Sequence, residues 1–292
     1  MSWQFVSILQ SIFGALSIIA IKVLSKNGNK YVYSVVFLGF VAEFLAAISY
    51  ALFSQEVIRV EWSAELVVLL ILGGIGFGIA NFLVFDLFRR VPATIGSIQL
   101  SLNRVAAVIF AFIFLSESLT TKQLSGAALM ILAVAIASYT KKHSHSLRHS
   151  EQLHMSKAVF VLVVMSMAYA LGSIAEKKLL DRMGMVSYVV VGWGFQTLVV
   201  GGIVLLKRKK WRMPPSKIYP IFLLYVILYA VSGVLFVYAL QLSDSSSKTI
   251  AASGLKVVLS VIFAYTLLKE RKSIKRIIVA IIVSVIGLWL LF

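Results

Sequence analysis

Cysteine is absent from this 292-residue chain, proline occurs only 4 times, and Asp and Glu together number 11. Without cysteine there is no disulfide framework, no thiol nucleophile and no thiolate metal site. Charged residues make up only 13% of the chain, where a soluble domain carries about 25%. Hydrophilic stretches are scarce as well: the only long one is KKHSHSLRHSEQLHMSK, Lys141 to Lys157. What remains is 60% hydrophobic, with a mean hydropathy of +0.97. That balance excludes an ordinary soluble domain and indicates an integral membrane protein. The opening residues, MSWQFVSILQ, lack the basic n-region of a secretory signal and read as the start of a first span.

The few charges present are mostly basic, giving a formal net charge of +17. Such a value invites a nucleic-acid reading, but nearly all Lys and Arg fall in short gaps between apolar segments. There they set topology and meet anionic lipid headgroups, so no nucleic-acid partner is expected.

A membrane-spanning helix needs about 20 apolar residues. Ten segments qualify, at about residues 3–24, 32–54, 64–88, 93–115, 122–139, 156–180, 186–206, 217–241, 247–268 and 274–292. The expected fold is therefore an all-α membrane protein of ten transmembrane helices, because a backbone in lipid must satisfy its own polar groups. Residues 141–155 form a hydrophilic central linker between a first five-helix repeat, 1–140, and a second, 156–292. The halves echo each other. Gly39 and Phe40 fall on Gly194 and Phe195 at an offset of 155, and Glu117 in FLSESLTTKQ falls on Glu270 in LLKERKSIKR at an offset of 153. An odd number of spans per repeat inverts the second half, the design of many secondary transporters. The gaps after odd-numbered spans hold 19 Lys and Arg, those after even-numbered spans 6. The positive-inside rule then puts the odd gaps in the cytoplasm and both termini outside.

Three ionisable residues stand at mid-membrane depth on three spans: Glu43, Arg104 and Lys256. A central arginine costs about 2.5–3.5 kcal/mol on insertion scales. It lies too far from either end to snorkel, so it must face protein or a wet cavity. At the offset of 153, Lys256 is the counterpart of Asn103, next to Arg104. One reading is an anion site, with Arg104 as a two-pronged donor to carboxylate or phosphate, Lys256 as a second charge, and Glu43 as charge balance or coupling group. The other is a buried ion pair that pins helices together.

Gln99 shares the face of Asn103 and is the best cavity candidate among the intramembrane amides Asn81, Gln99, Gln196 and Gln241; the others read as interhelical hydrogen bonds. Trp193 and Tyr169 are candidate cavity walls. Lys22, near the end of the first span, is expected to snorkel, as are the charges Asp86, Arg89 and Arg90 closing the third. GGIGFG, Gly73 to Gly78, reads as small residues at a helix crossing, with Gly74 and Gly78 in GxxxG spacing. His143, His145, His149 and His154 all fall in the linker and read as solvated, so no metal is expected. No nucleophile–base pairing appears. Neither an enzyme nor a cofactor is indicated.

The stretch LSESLTTKQLSGAALMILAVAIAS, Leu115 to Ser138, carries Glu117, Gln123 and Gly126; its tenth-span copy keeps Glu270 and Gly287 but not the counterpart of Gly126. On these motifs, the ten spans and the length, the whole chain resembles the EamA-like branch of the drug/metabolite transporter (DMT) superfamily. The resemblance implies alternating access around a cavity lined by both repeats, including the fourth and ninth spans. It also implies export or exchange of amino acids, other metabolites or phosphorylated sugars, in a prokaryotic plasma (inner) membrane. Family members usually keep both termini in the cytoplasm, opposite to the charge count here. The expected function is secondary transport of a small anionic or zwitterionic metabolite, with a proton or counter-substrate as driving partner, by a monomer or homodimer. The alternatives are efflux of lipophilic cations with Glu43 as charge partner, or a lipid-intermediate flippase.

Overall fold

The computed structural model describes residues 2–26, 31–115, 120–138, 149–207, 211–242, 252–270 and 274–291. They form α1 (Trp3–Ser25), α2 (Val32–Ser54), α3 (Ala64–Arg90), α4 (Ala93–Gln99), α5 (Leu102–Leu115), α6 (Thr121–Ser138), α7 (His149–Met183), α8 (Met185–Leu206), α9 (Tyr219–Leu242), α10 (Leu255–Leu267) and α11 (Ile274–Leu291). No strand occurs among the described residues. Among the described residues, six helical stretches are long and apolar enough to cross a membrane: α1, α2, α3, most of α7, α8 and the greater part of α9 with the 3-10 turn before it.

Local chemistry sets several boundaries. Ser63 caps α3 by accepting from the Leu66 N–H at 3.2 Å. At α6 the Gln123 N–H donates to the Thr120 hydroxyl (3.2 Å) and the Gln123 side chain accepts from the Thr120 N–H (3.0 Å), a reciprocal capping box. Gly184, at φ 70°, turns the chain from α7 into α8. The start of α7 at His149 lies seven residues before the expected start at 156. HSEQLHMSK is rich in good helix formers, and extending an existing helix is far easier than starting one.

Helix pairing obeys a simple rule. α1 packs along α9 and α3 along α7; α10 packs on α1 and α5 on α7; α9 packs on α2 and α3 on α8. α2 also packs on α8, α4 on α10, and α6 on α11. Exchanging each helix of the first half for its counterpart in the second returns these same nine pairs, although among the described residues the packing of α1 and α2 on α3 has no such twin.

Glycines make the closest approaches possible. A Cβ on Gly76 would lie 2.6 Å from the Gly172 nitrogen and 2.7 Å from the Ala168 oxygen, so α3 and α7 meet backbone to backbone. Gly74 and Gly78 admit Val199 and Val200 of α8, the small-residue crossing that the GxxxG spacing predicts.

Candidate functional site

The segment expected as the fourth span is not one continuous helix. α4 ends at Gln99, and the chain resumes as α5 at Leu102. Across the gap the ladder tightens to i→i+3 bonds, from Ser101 N–H to Ile98 (3.1 Å), Asn103 N–H to Leu100 (3.2 Å) and Arg104 N–H to Ser101 (3.1 Å). The same tightening precedes α10, from Lys256 N–H to Ser253 (3.2 Å) and Val257 N–H to Gly254 (3.0 Å). Leu100 and Ser253 are 153 residues apart, the offset of the sequence echo.

Each break is followed by a cation in the first helical turn, Arg104 in α5 and Lys256 in α10. Helix dipoles favour anions at that end, so both cations sit where their own helix disfavours them. They also come near each other. The Arg104 Nη2 donates to the Ser253 hydroxyl at 2.6 Å, and the Lys256 ammonium is near enough to feel the guanidinium. Tyr169 of α7 stands beside Arg104 and meets Phe77 edge-on at 5.5 Å. The Lys256 stem crosses α1 at Gly14, where a Cβ would lie 2.6 Å from its Cδ and 2.9 Å from the Ser232 Oγ. Gln10 Nε2 donates to that same hydroxyl at 3.2 Å.

Glu43 belongs to a second group. Its neighbours are Glu176 of α7 and Tyr229 and Tyr225 of α9, with Tyr229 in hydrogen-bonding reach. Gly233 leaves the room, since its Cβ would lie 2.6 Å from the Glu43 Oε1. Glu176 accepts from the Tyr188 hydroxyl at 3.0 Å, which in turn accepts from Gln196 Nε2 at 3.3 Å. Tyr188 sits in a π-helical turn, Tyr188–Gly192, and lies on Gly192. Such turns re-aim side chains and recur at functional sites. Tyr169 precedes Glu176 by seven residues, two turns or about 10 Å along α7, and interacts with both Arg104 and Glu176. Arg104, Lys256, Tyr169, Glu43, Glu176 and Tyr229 all lie deep among the helices yet keep accessible surface. That combination is what the lining of a hollow requires.

The structure thus brings Arg104, Lys256 and Tyr169 together and sets Glu43 with Glu176 and tyrosines. Asn103 turns to α7, its Oδ1 accepting from the Ser166 hydroxyl at 3.0 Å. Gln99 is 1% exposed and enclosed by protein. Trp193 is packed in an apolar cluster with Leu66, Leu70, Leu179 and Tyr188. Lys22 does not snorkel. It is buried and donates to the carbonyls of Phe88 (2.6 Å) and Val91 (2.7 Å), because those C-terminal carbonyls of α3 have no helical partner. Asp86 pairs with Arg89 (2.6 Å) and Arg90 (2.7 Å) on its own helix. Asn81 and Gln196 make hydrogen bonds within the bundle, whereas Gln241 is exposed. Glu117, His143 and His145 lie outside the described residues. Glu176 went unnoticed in the sequence because GSIAEKKLL reads as the headgroup end of a span.

The model of the EamA-like transporter family matches residues 1–139 and 156–292, both halves of the chain. The chain belongs to the EamA-like transporter family. This EamA-like protein is therefore an integral, multi-pass membrane transporter of the DMT type, and its partner is a small-molecule substrate. No curated protein sequence matches it. A solved structure titled only "Crystal structure of protein" shares its fold, with a TM-score of 0.64 at 14% identity over 96% of this chain and 95% of that one.

Proposed function

We propose that this EamA-like protein is a ten-span secondary transporter, two inverted five-helix halves, that carries a small anionic or zwitterionic metabolite by alternating access. The observation that carries the proposal is the meeting of Arg104 and Lys256 at matched helix breaks. Two cations and two helix N-termini converge there. A carboxylate or phosphate placed between them relieves the mutual repulsion and the unfavourable dipoles together. The mirrored list of packed helix pairs supports the inverted repeat.

Glu43 and Glu176 are the coupling groups in this reading. Each is within hydrogen-bonding reach of a tyrosine hydroxyl, Glu43 of Tyr229 and Glu176 of Tyr188. The same acidic, tyrosine-lined group favours the zwitterionic class, since it suits the ammonium end of such a molecule. The Lys and Arg count puts the odd-numbered gaps in the cytoplasm of a prokaryotic inner membrane and both termini outside, which a terminal reporter fusion checks.

The deciding experiment is uptake into proteoliposomes, screened over amino acids, phosphorylated sugars and organic cations with and without a pH gradient. Arg104→Ala and Lys256→Ala each abolish flux while the protein stays folded. Normal transport in both variants ends the proposal.

A further inference from the structure

Between α3 and α4 the chain turns at Val91–Pro92, and side chains from elsewhere hold both helix ends. The ammonium of Lys22 donates to the carbonyls of Phe88 and Val91, at 2.6 and 2.7 Å. The carboxylate of Glu270, just beyond α10, accepts from the N–H groups of Ala93 (2.9 Å) and Thr94 (3.0 Å) and from the Thr94 hydroxyl (3.2 Å). Cation on a C-terminus and anion on an N-terminus is the favourable sign at each end. The two charges also attract each other. Pro92 has no N–H to offer, so the carboxylate takes the next two amides.

The end of α10 aims Glu270 at this turn. Lys269 adopts φ 57°, a common way for a helix to end, and the Glu270 N–H turns back to the Ala264 carbonyl at 3.2 Å. The contact crosses between the halves, because Lys22, α3 and α4 belong to the first and Glu270 to the second.

The position of this clamp gives it a consequence for the site. α4 runs from the clamp to the break beside Arg104, and α10 runs from Glu270 back to the break beside Lys256. The two spans that carry the cations at their inner breaks are tied together at their outer ends. We infer that the Lys22–Glu270 clamp is the gate that shuts the central site toward the face bearing Val91–Pro92. One half of the transport cycle requires Glu270 to release the α4 amides. This inference rests on the transporter reading, since a gate presupposes a site that opens alternately.

The cysteine-free chain makes the test direct. Ser97 is fully buried on α4, between the clamp and the break. A membrane-impermeant maleimide is applied to vesicles carrying Ser97→Cys, from each side in turn. Labelling from the clamp face is slow in the otherwise native chain. Adding Glu270→Ala speeds it by about tenfold or more, the population change expected when several charge-assisted hydrogen bonds are lost. Labelling from the opposite face does not change. Glu270→Gln keeps one carbonyl acceptor and gives an intermediate rate, and it carries the test should the alanine variant fail to fold. Unchanged labelling from the clamp face overturns the inference, as does equal acceleration from both faces. Thiol labelling needs no substrate, so this outcome is separate from whether Arg104 and Lys256 bind an anion.

Discussion

Gly14→Ala separates a functional role for Lys256 from a structural one. The added methyl would stand 2.6 Å from the Lys256 Cδ and 2.9 Å from the Ser232 Oγ. Carbon atoms in contact prefer about 3.5–4.0 Å, so the lysine stem has to retreat by about 1 Å. A flexible four-carbon stem can do so, and α1 gains about 1 kcal/mol of helix propensity from the exchange. Stability is therefore expected to stay within about 1 kcal/mol of the parent. Binding is not. The retreating stem takes the ammonium with it, and a hydrogen bond to a charged group contributes about 1.5–3 kcal/mol. The Kd for the transported anion rises roughly 10- to 150-fold. The assay pairs titration calorimetry in detergent, using the substrate found by the uptake screen, with thermal unfolding followed by the fluorescence of the 5 tryptophans. Gly202→Ala is the control, because its Cβ would have no neighbour within 4 Å. A folded Gly14→Ala protein that binds within twofold of the parent would refute the placement of the Lys256 ammonium at the site.

Two further outcomes concern stability. At Gly76 the obstacle is backbone, which cannot rotate away, so Gly76→Ala should lose about 2 kcal/mol net, with overpacking of up to about 3 offset by helix propensity. Gly202→Ala should gain about 0.5–1 kcal/mol, leaving the two melting temperatures several degrees apart in tryptophan-monitored unfolding; equal values would show that α3 and α7 are not in backbone contact. Lys22→Met keeps the apolar stem but strands two carbonyls, and should cost about 1.5–3 kcal/mol in the same measurement. A snorkelling lysine would cost almost nothing.

Much of the architecture was legible because lipid simplifies the code. Apolar runs of the right length can only be helices, so the boundaries of α1 and α2 follow from hydropathy with errors of a residue or so. The glycine crossing at Gly74 and Gly78 was legible for the same reason: small residues at that spacing have one common use in a membrane. The expectation that Arg104 and Lys256 share a site came from their matching depth and from the repeat offset, which sets Lys256 against Asn103.

Depth alone misled elsewhere. Glu43 shares a depth with the cations, but its partners depend on which face of α2 turns toward α7 and α9, and a helix that is apolar all round does not reveal its facing. Glu176 was hidden by the lysines that follow it. Lys22 looked like a headgroup anchor because sequence shows distance to a helix end, not the unpaired carbonyls of a different helix waiting beside it. The helix breaks were silent as well, since neither Leu100–Ser101 nor the stretch before α10 contains a proline.

The mirrored packing bears on how the protein can move at all. A helix bundle with only one good way to fit its parts is locked in that arrangement. When the main helix contacts have twins in the other half, the molecule can trade the shapes of its halves and recover much the same contacts. Two such arrangements are close to isoenergetic without any special tuning. Something as small as one carboxylate on two amides is then enough to decide which of them is occupied, and losing it is enough to tip the choice.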